Sequence, residues 1–189
     1  MQVPEIKTRS TLRLRVLAAV GSLLIVMSLG APATALATGG ATHLVVTGLT
    51  NAAAGTAQTA TVTAKDGTEA TDATYVGTVT LTSTDGAAVL ESAKALVAGV
   101  GTFTVTLKTA GSQTVTANGT SSITGLQTVT VTAGTATKLA FGVQPTSTAS
   151  GASISPSITV LAQDAFGNTD TTSAASVTLA IGSNPGAGT

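Results

Sequence analysis

From Ala41 onward, apolar and hydroxylated residues alternate with a period of two. ATVTAK (60–65) sets Ala60, Val62 and Ala64 on one face against Thr61, Thr63 and Lys65 on the other. GTVTLTS (77–83) does the same with Val79 and Leu81, and TFTVTLK (102–108) with Phe103, Val105 and Leu107. QTVTA (113–117) and QTVTVTA (127–133) complete the series. Such alternation marks half-buried antiparallel strands, and β-branched Thr and Val favour the extended backbone. KDG, TDG, AGVG, TAGS and NGTSS punctuate the runs as turns. Six or seven short strands over residues 41–133 predict a β-sandwich of two packed sheets.

The pattern then starts over. ATHLVV (41–46) matches ATKLAF (136–141), ATVTAKD (60–66) matches ITVLAQD (158–164), and Val79-Thr80-Leu81 matches Val177-Thr178-Leu179. The offset moves from 95 to 98 residues, an insertion in the PTSTASGAS loop (145–153). Repetition at a domain-sized period predicts a tandem array, joined here by the short linker TAGT (132–135). The second unit, 136–189, matches only the first three strands of the first. A half-sandwich leaves strand edges unpaired and a core face wet, so the sequence reads as a fragment lacking about 40 residues of that unit.

The first 37 residues are set apart. Lys7, Arg9, Arg13 and Arg15 precede an apolar stretch, Val16 to Leu29, and Ala35-Leu36-Ala37 follows. This three-part layout is that of a secretory signal peptide, with cleavage expected near Ala37 and with Ala33 or Ala35 as alternatives. An uncleaved anchor over 16–37 is the rival reading, weakened by Pro32 and the small residues after it. Either way the body is exported, to the cell surface or the extracellular space, and touches membrane only through this segment.

Composition narrows the chemistry. Charged residues make up 8% of the chain and aromatic residues 2%, and past residue 15 there are four Lys, no Arg and seven acids. Such a body has neither the basic groove nor the stacking platform that nucleic acid requires. Without cysteine there are no disulfides, thiol nucleophiles or thiolate metal sites.

In the second unit, Asp164, Gly167, Asn168 and Thr169 form D-x-x-G-N-T, followed by Ser176 to Leu179 (S-V-T-L). This combination resembles the bacterial immunoglobulin-like (Big) domains of invasin and intimin type. The first unit keeps Asp66 and Gly67 but reads DGTEAT, so there the likeness rests on periodicity and spacing. The resemblance implies an all-β array of immunoglobulin-like sandwiches, the second truncated, serving as an extracellular stalk or adhesin segment. It brings no catalytic residues.

Candidate sites are few. LAQDAFGNTD (161–170) reads as a turn, with Gly167 and Asn168 supplying positive φ and the acids capping it. The alternative is a calcium site of Asp164, Asn168 and Asp170, or of Asp66, Glu69 and Asp72. Calcium takes six to eight oxygens, and the terminal bidentate Glu of an EF-hand is missing. His43, the lone histidine, has no second ligand or triad partner in the sequence and reads as a strand residue. The scattered acids offer no facing pair for hydrolysis, and no phosphate loop occurs. Asn118-Gly119-Thr120 is a formal glycosylation sequon. Phe103 and Phe141 fall on inward positions, whereas Phe166 lies in the turn, placed to cap a sandwich or touch the next module.

The expectation is therefore a non-enzymatic surface module with no cofactor and no metal. Its partner is unspecified: a cell-surface protein or glycan would be met by regions beyond Thr189. The alternatives are an accessory region of a larger secreted enzyme and a carbohydrate- or protein-binding module.

Overall fold

The computed structural model describes residues 40–183. The signal peptide expected over residues 1–37 lies outside them. Strands β1 (His43–Thr47), β3 (Ala57–Lys65), β7 (Val100–Thr106) and β5 (Val89–Leu90) form one sheet, in that order. The second sheet runs β2 (Ala52–Ala53), β9 (Thr124–Thr132), β8 (Gly111–Gly119), β4 (Thr78–Ser83) and β6 (Lys94–Ala95). All pairings are antiparallel except β2 with β9. One sheet takes the first, second, fifth and fourth strands of the immunoglobulin layout, and β9-β8-β4 supplies the facing three. The fold is an all-β sandwich.

Period-two alternation holds the sheets together. Ala60, Val62 and Ala64 of β3 are buried, as are Val79 and Leu81 of β4, Phe103 and Val105 of β7, Val115 and Ala117 of β8, and Val129 and Val131 of β9. Phe103, fully buried, is the largest side chain in a core otherwise built from Val, Leu, Ile and Ala. Small inward residues let the sheets approach closely. At Gly125 of β9 a Cβ would overlap the Leu44 carbonyl of β1. The outward faces carry threonine, and Thr114 and Thr128 on adjacent strands share a hydroxyl hydrogen bond of 2.8 Å.

Past β9, strands β10 (Lys138–Val143) and β11 (Thr159–Gln163) pair antiparallel, matching the β1–β3 pairing in sequence register. Two expectations fail here. Ser176–Ala180, expected as a third strand, forms no ladder. Its counterpart β4 is held by β8 and β6 on its two edges, and no strand flanks 176–180 among the described residues. Phe141, expected in a core, is 49% exposed, and Leu139 is 56% exposed where its counterpart Leu44 is 2%. These side chains line an open hollow of about 230 Å³ with Val160, Val177 and Leu179, because no second sheet covers them among the described residues.

Truncating Phe103 to Ala should lower the unfolding free energy by about 3–5 kcal/mol in urea titration. Thr80→Ala, on the solvent face of β4, should change it by less than ~0.5 kcal/mol. Equal effects would contradict the two-faced strand.

Candidate functional site

The loops that follow β3 and β11 are built alike. After β3, Asp66 Oδ1 accepts from Thr68 N (2.8 Å), Thr68 Oγ1 (2.8 Å) and Ala70 N (3.0 Å). After β11, Asp164 Oδ1 accepts from Phe166 N and Asn168 N, both at 2.9 Å. Each loop returns to its strand, Asp72 N donating to Ala64 O and Asp170 N to Ala162 O. Each also fixes the chain ahead of its hairpin: Ala41 N donates to Asp72 Oδ2 (2.7 Å) and Ala136 N to Asp170 Oδ2 (3.2 Å). The left-handed position is Gly167 (φ 92°) in one loop and Glu69 (φ 66°) in the other. Asn168 does not share the positive φ expected of it.

The side chain of Asn168 turns to the sandwich instead. Its Nδ2 donates to Lys108 O (2.8 Å), and its Oδ1 accepts from Ala110 N (2.8 Å). One carboxamide thus pairs with the β7–β8 turn as a neighbouring strand would. Its Nδ2 also donates to Asp164 Oδ2 (2.8 Å), which in turn accepts from Gly134 N of the linker (2.9 Å). Phe166 lies over Gly55, where a Cβ would come within 2.5 Å of the ring, and the Lys108 ammonium stands 5.8 Å from the ring centroid. The receiving turn is itself pinned. Buried Asp85 accepts from Lys108 N (2.6 Å), Thr109 N (3.0 Å) and Thr109 Oγ1 (2.7 Å).

These donors set the acidity. Burial alone would raise the pKa of Asp164, but hydrogen bonds from the Asn168 side chain and from the Gly134, Asn168 and Phe166 amides outweigh it and hold it at about 2. Asp85 is likewise lowered: burial opposes, and donors from Thr109, Lys108 and Ala87 prevail. For Asp66 and Asp72 the threonine hydroxyls two residues on are the leading cause of a lowered pKa.

Both oxygens of Asp164 are occupied by N–H donors, the wrong partners for a cation. No group of three or more His, Cys, Asp or Glu side chains able to hold a metal occurs among the described residues. His43 Nε2 lies 3.4 Å from Glu69 Oε2 at the surface, and its Nδ1 shares a 3.1 Å hydrogen bond with the hydroxyl of the adjacent Thr42. Asn118 of the sequon lies within β8, its Nδ2 donating to Thr82 Oγ1 (3.1 Å). The turn at 164–170 is thus an internal docking site. Sequence reasoning missed Asn168's partners and Asp85. The one available signal was the contrast between loops, Phe166 and Asn168 standing where the first has Thr68 and Ala70.

No protein-family model matches the chain, and no curated protein matches it. Similar solved structures include domains 4 and 5 of the S-layer protein SbsC, at 27% identity over 49% of this chain and 53% of that one, TM-score 0.39. The D0–D1 domain of intimin is similar at 23% identity over 55% and 56%, TM-score 0.38. A β-glucuronidase from Parabacteroides merdae is similar at 12% identity over 48% of this chain, TM-score 0.40, and the chain spans only 12% of its length. At TM-scores near 0.4, none of them bears on what this chain does.

Asn168→Ala should remove the two bonds to the β7–β8 turn, loosening the joint by about 1–3 kcal/mol while the sandwich stays folded. Separate alignment tensors for residues 42–132 and 138–170 in residual dipolar couplings would register this. The pH response has a definite sign. Asp164 is depressed below its ordinary 3.8, so its contribution is whole above that value and is lost as pH falls through about 2. Stability measured by urea titration should be flat near neutrality and decline below pH ~4, less steeply in Asp164→Asn.

Proposed function

We propose that the chain is an exported bacterial surface protein whose immunoglobulin-like modules form a structural stalk or adhesin segment, with no catalysis of its own. In this reading residues 1–37 are the signal peptide, 41–133 the first module and 136–189 the beginning of a second. One observation carries it: the Asn168 carboxamide and the Asp164 carboxylate tie the post-β11 loop to the β7–β8 turn and to the linker. A joint closed by directional bonds at two places sets one angle between successive units, which is what a spacer requires. The side chains at this joint are amide, carboxylate and phenyl groups bonded or packed to one another, with the Lys108 ammonium over the Phe166 ring, a set that offers no nucleophile paired with a general base.

Expressing the full chain in a bacterial host and treating intact cells with protease tests the location. Digestion on intact cells or recovery from the medium, with residues 1–37 absent by mass spectrometry, is the expected result. Intact protein retained in the cytoplasm would overturn it. Turnover of any member of a glycoside panel by the purified chain would overturn the non-catalytic part.

A further inference from the structure

Residues 48–51 carry the chain from β1 in one sheet to β2 in the other, and between the two strands they belong to neither ladder. Leu49 is buried there, and a buried backbone outside a ladder needs other partners. Two glutamines supply them. Gln58 of β3 and Gln127 of β9 sit at inward positions of opposite sheets, where the alternation calls for an apolar residue. Gln127 Oε1 accepts from Leu49 N (3.1 Å) and its Nε2 donates to Leu49 O (2.7 Å). Gln58 holds the next residue in the same way, its Oε1 accepting from Thr50 N (2.7 Å) and its Nε2 donating to Thr50 O (3.1 Å). Each carboxamide offers one backbone residue the donor and the acceptor that a neighbouring strand would.

The bonds to β9 continue in order. Thr130 N donates to Asn51 Oδ1 (2.8 Å), Ala52 and Ala53 pair in parallel with Val131 and Thr132, and Ala54 N donates to Thr132 O (2.8 Å). Side chains thereby lengthen the two-residue strand β2 into a parallel seam over Leu49–Ala54. The seam joins the first part of the sandwich to its last strand, and both sides run the same way. Drawing the two ends of the sandwich apart slides these sides past each other along their length. The bonds of the seam then share the pull and break together, whereas strands peeled apart from one end lose theirs one at a time. We infer that the seam is a mechanical clamp, closed by Gln127 and Gln58, which sets how long the sandwich withstands a pull on its ends. That the ends are pulled apart in use rests on the stalk reading; the clamp itself is a property of the sandwich and is measured wherever the protein is located.

A third glutamine provides the comparison. Gln113 of β8 also makes two bonds, accepting from Thr84 Oγ1 (2.8 Å) and donating to Thr109 O (3.2 Å), but it lies off the seam. Constant-force spectroscopy on the full chain tests the inference. The protein has no cysteine, so Gly40→Cys and Thr135→Cys place handles at the two ends of the sandwich. Under one force, Gln127→Ala should unfold at least ~10-fold faster than the chain without it and Gln58→Ala at least ~3-fold faster, while Gln113→Ala stays within ~2-fold. Urea titration of the same variants measures what each loses without a pulling direction. Equal acceleration by all three, or acceleration that merely follows their losses in urea, overturns the clamp, and so does an unchanged lifetime in folded Gln127→Ala. Should Gln127→Ala fail to fold, Gln58→Ala against Gln113→Ala decides by the same criteria.

Discussion

A carboxylate that leaves water has to be given donors, and the loops of this protein are shaped by that requirement. Asp66, Asp72, Asp85 and Asp164 are all buried, and among the described residues no basic side chain forms an ion pair with any of them. Their donors are backbone amides, threonine hydroxyls and, at Asp164, the Asn168 carboxamide, and they fix the residues of the turns. Without disulfides and with a core of mostly small residues, the sandwich relies on these groups to hold its connections. Charge-assisted bonds to ionised acceptors are about twice as strong as neutral ones, which suits them to the task.

The same acids form a relay along the molecule. Asp85 holds the β7–β8 turn in place, and the turn offers Lys108 O and Ala110 N to Asn168. Asn168 is braced by Asp164, which also grips Gly134 of the linker. The loop after β3 has nearly the same backbone and the same leading aspartate, yet nothing at Ala70 reaches beyond it. Two substitutions on a shared frame, Phe166 for Thr68 and Asn168 for Ala70, separate a loop that docks from one that only turns.

How much was legible followed from range. Five of the six long strands of the sandwich, all but β1, were readable because alternation is local and each inward residue had a hydroxylated neighbour. The two-residue strands β2, β5 and β6 were not, since so short a run carries no period. Ser176–Ala180 carried the strand pattern but lacks flanking partners among the described residues, and Phe141 kept an inward position with no described sheet set over it. Asn168 fitted the local rule that asparagine favours left-handed turns, and the rule misled. Its partners lie 58 and 60 residues back in the chain, a separation no local pattern encodes.

The scarcity of ion pairs has one more consequence. The two bridges found among the described residues, His43–Glu69 and Lys94–Glu91, lie at the surface, where dissolved ions weaken them readily. The pins that matter are short-range contacts between aspartate and amide, largely shielded from counterions by their burial. Brine and fresh water should be nearly the same medium to this sandwich, whose architecture is indifferent to the ionic composition around it.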